Sequence, residues 1–303
     1  MIIKEQLENI NIQPSKSLRF IRKVKWLFGT YLKDQHDAKI LTKNGYLYFN
    51  SKDKTTGRIL HVYKNHEFEE MQDVVLLLEK IGLIDRSKEN TVIDIGGYLG
   101  MSSTGFLLAN LFQKAYSFEP SPENFRLLQK NIEINELQNS MFAYNIALSD
   151  SKGSLEFELS TKNHGDNRVK KTSATGTFNE ENREVIAIEA NTFDDFLQEH
   201  PEIDQDKIKL LWMDIQGHEG LFLKGAKQFI QTHPSVPTAM EFWPYGIERS
   251  GVRKEDFLGL VTSLYKKFYI LGDYNTSYNI EKLEEFYDLH PLGGDGLNIL
   301  LIN

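Results

Sequence analysis

The chain has 303 residues, 35 Lys and Arg against 43 Asp and Glu for a formal charge of −8, and no cysteine. A chain of this length forms one large domain or two small ones around a core that needs no staples, and the missing thiols exclude disulfide scaffolds, cysteine-ligated metal sites and cysteine nucleophiles. The acidic balance argues against a nucleic-acid-binding protein, and no apolar run is long enough to span a membrane.

Met1–Ile10 lacks the basic and apolar regions of a secretion signal, so the expected location is cytoplasmic. Lys16–Asp34 is the most basic stretch and reads as a helix with Leu18, Ile21, Lys25 and Phe28 on one side. A helix docked on the body with solvated lysines is preferred there over one that meets a membrane surface or an acidic partner. Gly45–Asn50 and Arg58–Tyr63, separated by the polar Ser51–Gly57, predict a β-hairpin. Phe68, Met71, Val75 and Leu78 have helical spacing and predict a helix over Glu67–Ile84. The polar run 85–91 marks a soft boundary. It divides an accessory region, 1–88, from a main domain, 89–303; within the former, the first 65 residues are candidates for covering the site, for pairing subunits into an oligomer or for binding a carrier.

Beyond the boundary, strands alternate with helices. Strands are predicted at Thr91–Ile95, Ala115–Phe118, Met141–Leu148, Lys209–Ile215, Thr238–Phe242, Tyr269–Leu271 and Gly296–Ile302. Helices are predicted at Ser102–Phe112, Pro122–Asn135, Thr192–Glu199, Leu221–Gln231 and Lys254–Phe268. Leu155–Leu159 and Val185–Ala190 read as extra strands, with the polar Ser160–Asn182 between them as a mobile loop. This alternation predicts an α/β fold with a mostly parallel sheet.

In such sheets ligands sit beyond the carboxyl ends of the strands. After the first main strand comes Asp94-Ile-Gly96-Gly97-Tyr98-Leu-Gly100, a loop whose glycines admit a close ligand and whose following helix offers free N–H groups. It is not the G-x-G-x-x-G dinucleotide fingerprint. Glu119 follows the second strand, 19 residues beyond Gly100, where an acid accepts hydrogen bonds from ribose hydroxyls. Asp214, His218 and Glu219 follow the fourth strand, about a tight turn that Gly217 permits, and are candidate acid–base groups or, as the lesser reading, metal ligands with Glu241. Glu241 lies in an apolar stretch and needs a partner or a task.

Together, VIDIGGYLG (92–100), FEPSPENFRLLQKNIEIN (118–135), NIALSDSKG (145–153), TFDDFL (192–197), MDIQGHEGLFLKGA (213–226) and MEFWP (240–244) resemble the FkbM-type S-adenosylmethionine-dependent methyltransferases, in order and spacing. NILLIN (298–303) resembles the family's closing strand, while the first 65 residues carry no resemblance. The resemblance implies a Rossmann-like class I sheet of seven strands, the last antiparallel, with helices on both faces and the N-terminal helix and hairpin as an extension. It implies S-adenosylmethionine as cofactor, held by Asp94, Gly96, Gly97, Tyr98 and Gly100, by Glu119 at the ribose, by Asn145 and Ala147 at the adenine, and by Asp214 where donor and acceptor meet. Gly97 departs from the commoner alanine and Tyr98 from the commoner asparagine, which bears on the methionine carboxylate. No metal is assigned.

The implied reaction is O-methylation of a hydroxyl on a sugar or other small molecule, with Asp214, then His218, as the base. Glu241, Trp243, His164, Asn167 and Arg168 are the candidate acceptor contacts. A nicotinamide-dependent oxidoreductase, a nucleic-acid methyltransferase and a cofactor-binding module without catalysis are the alternatives. The absent dinucleotide fingerprint counts against the first and the acidic charge against the second. The intact loop with Glu119 and Asp214 counts against the third.

Overall fold

The computed structural model describes Leu7 and residues 9–172, 174–289 and 296–303. Most of Met1–Ile10, read above for a secretion signal, lies outside the described residues. A basic helix, α1 (Lys16–Trp26), is capped by Ser15, whose hydroxyl accepts from the Leu18 amide. An antiparallel hairpin, β1 (Asp37–Thr42) and β2 (Gly45–Asn50), follows. The hairpin therefore stands one element earlier than predicted. Lys43-Asn44 makes the turn, with Gly45 at φ 109° opening β2, and the supposed second strand is the helix α2 (Thr56–Tyr63). Asp53 starts this helix by accepting from the amides of Thr55 (2.9 Å) and Thr56 (2.8 Å), an oxygen-to-amide cap that overrides the β-branched composition.

The next helix, α3 (Phe68–Lys80), leads into the main sheet. Its elements are β3 (Thr91–Ile95), α4 (Met101–Leu108), β4 (Lys114–Phe118), α5 (Pro122–Ile134) and β5 (Met141–Tyr144). A smaller sheet then forms from β6 (Ala147–Leu148), β7 (Gly153–Leu159), β8 (Arg168–Val169) and β9 (Glu184–Asn191), in the order β6-β9-β7-β8. The predicted single strand 141–148 is thus two strands in two sheets. At their junction the Asn145 side chain leaves the ladder to donate to the carbonyls of Glu119 (2.8 Å) and Pro120 (3.0 Å).

The chain continues through α6 (Phe193–Glu199), β10 (Ile208–Met213), α7 (Glu219–Gly225), α8 (Lys227–Thr232), β11 (Thr238–Phe242), α9 (Pro244–Arg249), α10 (Lys254–Leu264), β12 (Lys267–Ile270), β13 (Asp273–Asn279), α11 (Leu283–Leu289) and β14 (Leu297–Ile302). The main sheet has the order β13-β12-β14-β11-β10-β3-β4-β5. β14 is antiparallel to both neighbours, as the seven-stranded expectation requires, and an eighth strand, β13, extends the edge. β13 carries no apolar alternation because it is an edge strand with mostly exposed side chains.

Strand alternation sorts the core into two faces. Ile93, Ile95, Leu211, Met213, Met240 and Phe242 pack on one face with Phe222, Phe229 and Phe257. Val92, Leu210, Trp212, Ala239 and Leu300 pack on the other with Met71, Val74, Leu78 and Phe106.

The hairpin docks through two asparagines one helical turn apart on α5. Asn131 accepts from the Tyr48 amide (2.5 Å) and donates to the carbonyls of Tyr48 (3.1 Å) and Leu99 (2.9 Å). Asn135 accepts from the Tyr46 amide (2.9 Å) and donates to the Tyr46 carbonyl (2.7 Å). The side-chain amides thus continue the β2 ladder that a neighbouring strand would otherwise supply. Asn131→Ala leaves three backbone groups without their partner at a fully buried position. The expected loss is about 2–4 kcal/mol of unfolding free energy in a urea titration.

Candidate active site

The sheet order reverses between β3 and β10, and a cavity of about 230 Å3 opens beyond the carboxyl ends of these strands. On the β3 side the loop 96–100 begins with two amides, Gly96 and Gly97, donating to the Phe118 carbonyl at 3.0 and 2.9 Å. Gly96 has φ 87°, and a Cβ there would overlap the main-chain carbonyl oxygen of Asp214. The two strand ends are held this close because the residue between them has no side chain.

Asp94 lies beneath the loop, buried, and accepts from Ser103 Oγ (2.6 Å). Burial pushes its carboxyl up to about 6. Glu119 is buried as well, 4% exposed, and burial pushes it up to about 8. Its Oε2 accepts from the Tyr98 amide (2.9 Å), and its Oε1 from the Ser121 amide (2.8 Å) and, at 3.4 Å, from Asn124 Nδ2. In its ionised form, the one that donors of a bound diol would favour, the group offers about four acceptor sites. One therefore stays open and the long Asn124 bond can yield, so a ribose diol has acceptors for both hydroxyls. Phe118, Ile146, Ala147, Leu148 and Phe157 give the same cavity an apolar wall suited to a flat ring. These residues fit S-adenosylmethionine: an acid for the diol, a glycine loop at a helix start, and an apolar slot.

Tyr98, at φ 48°, sends its hydroxyl to Asp53 Oδ2 (2.7 Å), which also accepts from the His164 amide (3.0 Å). Asp53 is fully buried, and with its two helix-start amides all its acceptor sites are used. It ties the start of α2, the 96–100 loop and the loop after β7 into one wall. No motif marked Asp53; the signal available was an acid just ahead of a Thr-Thr helix start.

On the β10 side, Asp214 faces the open cavity although protein surrounds that cavity, and this enclosure raises its pKa. Gln216, at φ 55°, bridges Asp214 Oδ1 (2.7 Å) and Glu241 Oε2 (3.2 Å). Burial first, then the Asp214 charge, raises the pKa of Glu241. Glu67, at φ 51°, borders the same cavity next to His66, and burial pushes its carboxyl up to about 7. His66 and Glu67 were missed in the sequence because they precede the motif-bearing segment and only the tertiary fold carries them to the strand ends. Among the described residues no three His, Asp or Glu side chains are arranged to hold a metal ion.

His218 also borders the cavity. Its Nε2 lies 2.9 Å from Ser149 Oγ, and burial holds its pKa down at about 3. Such a ring stays neutral near pH 7 and is a weak proton acceptor there. Of the expected adenine contacts, Ala147 lines the cavity and Asn145 does not, being spent on the Glu119–Pro120 turn.

Of the expected acceptor contacts, His164 and Asn167 line the cavity, whereas Arg168 and Trp243 turn away and pack on each other, the guanidinium 4.9 Å from the ring centroid. Arg168 is 4% exposed and pairs with Asp166 and with Glu180 (3.3 Å). Tyr245 donates to Glu180 (2.8 Å), and Arg249 approaches it at 3.4 Å. The described part of 160–182 is therefore anchored on α9 and is not the free loop its polarity suggested, because Asp166, Arg168 and Glu180 are partnered by other side chains of the protein.

The raised carboxyls have a consequence for stability. Glu119 and Glu219, the latter buried and pushed up to about 7, hold protons in the folded state that the unfolded chain releases near pH 4.5. Stability contributed by the neutral form is present below the unfolded pKa and is lost as pH rises toward about 8. The melting temperature of the ligand-free protein is expected to be lower at pH 8.5 than at pH 5.5, by about 2–4 °C per kcal/mol lost. Calorimetric scans at the two pH values check this; a higher melting temperature at pH 8.5 contradicts it.

The sheet order and the loops at its switch point define the class: a Rossmann-like fold of the methyltransferase type, with an antiparallel strand near the sheet's edge. Residues 94–271 match the methyltransferase FkbM domain, and the chain belongs to that family. The 2-O-methyltransferase NoeI of Sinorhizobium fredii is 25% identical over 168 residues, covering 52% of this chain and 63% of its own. The chain thus spans less than two thirds of that relative's length. Among solved structures, the FkbM methyltransferase of Methylobacillus flagellatus is 16% identical, with a TM-score of 0.44, covering 80% of this chain and 52% of that one. An O-methyltransferase of Bacillus cereus solved with S-adenosylhomocysteine is 10% identical, with a TM-score of 0.41, over 100% of this chain and 98% of that one. Neither structure reaches a TM-score of 0.5, and the match over 94–271 is what assigns the chain.

Proposed function

We propose that the protein is an S-adenosylmethionine-dependent O-methyltransferase acting on a hydroxyl of a sugar or similar small molecule. The observation that carries this reading is one cavity with two chemically distinct ends. Glu119 stands at the β4 side, Asp214 and the Gln216-linked Glu241 stand at or beside the β10 side with Glu67 on the same cavity, and the 96–100 loop of β3 lies between the two. The name of NoeI, a 2-O-methyltransferase, supports oxygen as the acceptor atom.

S-adenosylmethionine would supply a methyl group on a sulfonium, which needs no further activation. The chain's own part is to bind, align and deprotonate. Glu119 accepts from the ribose hydroxyls, and the apolar wall takes the adenine. Asp214 accepts the proton of the acceptor hydroxyl; its raised pKa brings it nearer the operating pH, where a general base works best. His218 is assigned no proton transfer and serves with Ser149 to pack the β10 turn. The carboxylate end favours a neutral polyol over an anionic acceptor, since a second negative charge there is repelled.

Calorimetric titration with S-adenosylhomocysteine, with NAD in parallel, tests the donor. Micromolar binding of the former alone is expected. Binding of NAD alone overturns the reading. A screen of hydroxylated against amine acceptors then tests the atom methylated.

A further inference from the structure

We propose that the outer face of α1 and the turn after it bind the surface of an anionic phospholipid bilayer. The helix is fixed to the body from its inner side. Trp26 is buried, Arg22 Nη1 donates to the Val62 carbonyl (2.8 Å), and Thr30 Oγ1 lies 3.3 Å from His61 Nε2. The opposite side is apolar and open. Phe20 is 69% exposed, Phe28 65% and Leu32 58%, with Ile21 and Val24 between them. At about 100° per residue these five positions fall within roughly a third of the circumference. The helix widens at its end, where the Leu32 amide donates to the Leu27 carbonyl (2.9 Å), and this i→i+5 turn keeps Phe28 and Leu32 on the same stripe.

Other exposed large apolar side chains, such as Leu76 and Phe178, lie far from this helix in the sequence, whereas these five form one row. Its occupant is indicated by charge. Residues 16–33 contain six basic residues and no acid, in a chain of net charge −8. Lys16, Lys23, Lys25 and Lys33 are exposed, and none forms an ion pair among the described residues. In helical projection Lys16 and Lys23 flank the stripe on one side and Lys25 on the other. An apolar stripe edged on both sides by lysines is the pattern of a helix lying in the headgroup layer of an anionic membrane. No described helix is long and apolar enough to cross one, so the contact is peripheral. The inner neighbour of α1 is α2, whose Thr56 and Ile59 line the cavity. A protein seated on this stripe therefore holds its cavity one helix layer from the lipid surface.

The test is co-sedimentation of the full chain with vesicles of phosphatidylcholine alone and with phosphatidylglycerol added. Binding is expected to rise with phosphatidylglycerol content, to be absent with phosphatidylcholine alone, and to weaken in high salt. The double substitution Phe20→Ser, Phe28→Ser is expected to weaken it on the order of 10-fold or more. The pair Lys23→Glu, Lys25→Glu is expected to do so by about 25-fold or more. All four side chains are exposed, so the circular dichroism and S-adenosylhomocysteine affinity of both variants should match the parent. Equal binding to both vesicle types, or binding that neither variant changes, overturns the proposal. So does absence of binding, whether the protein is monomeric or forms a dimer that Phe20→Ser, Phe28→Ser dissolves; the dimer would make a second copy the occupant.

Discussion

Gly96→Ala is expected to cost about 3–5 kcal/mol of stability and to weaken S-adenosylhomocysteine binding at least about 100-fold. Two effects add. The residue sits at φ 87°, where any Cβ is strained, and that Cβ overlaps the Asp214 carbonyl oxygen and comes within 2.9 Å of Ile215 Cγ2. Neither strand end can retreat cheaply. The Gly96 amide is bonded to the Phe118 carbonyl (3.0 Å), and the Asp214 amide to the Ile95 carbonyl (3.0 Å). Gly97 is the internal control. Its φ is not in the left-handed region, and its Cβ would meet a side-chain atom, Ser117 Cβ, at 3.1 Å. Gly97→Ala should therefore cost no more than about 1 kcal/mol. Urea titration and calorimetry of both variants decide the matter. Equal behaviour of the two would mean that the close approach of β3 and β10 is not what holds the site.

The second large effect concerns turnover. Asp214→Asn is expected to lower kcat on the order of 10^2- to 10^4-fold while leaving S-adenosylhomocysteine affinity within a few-fold. Asparagine keeps the shape and the bond to Gln216 but cannot take a proton. The pH profile separates this role from a merely structural one. In the parent enzyme kcat/KM should rise with pH through an apparent pKa above the usual carboxylate range, since enclosure in the cavity raises that of Asp214. In the variant that rise should disappear. Turnover at the parental rate would remove Asp214 from the mechanism and leave Glu67, whose carboxyl is pushed up to about 7 on the same cavity, as the next candidate.

These two expectations rest on residues legible in the sequence, because each belongs to a strand-end loop. A short apolar strand followed by glycines or an acid is a local pattern, set by φ requirements and by the need to bury a continuous run between two helix layers. The alternation of such strands with helices also made the parallel sheet recognisable, and the motifs at their ends the family, whose resemblance in turn implied the antiparallel closing strand. Local patterns failed where long-range partners decide conformation. Residues 56–63 are β-branched and aromatic in part, yet they are helical because Asp53 caps them and Gly57 packs against Phe49 and Trp26. Arg168 and Trp243 were each plausible at an acceptor, but buried ion pairs and ring stacking turn them toward each other.

By itself, then, the sequence determined the α/β class, the strand ends that border the cavity, and Glu119 and Asp214 as its principal acids. The tertiary structure alone decided that Asp53, His66 and Glu67 join that site, that Asn145 braces a turn, and that the face of α1 stays uncovered. The physical reason is separation along the chain. A strand-end residue is placed by its own few neighbours, whereas these are placed by partners between roughly 25 and 150 positions away, through hydrogen bonds and packing that leave no periodic trace in the sequence.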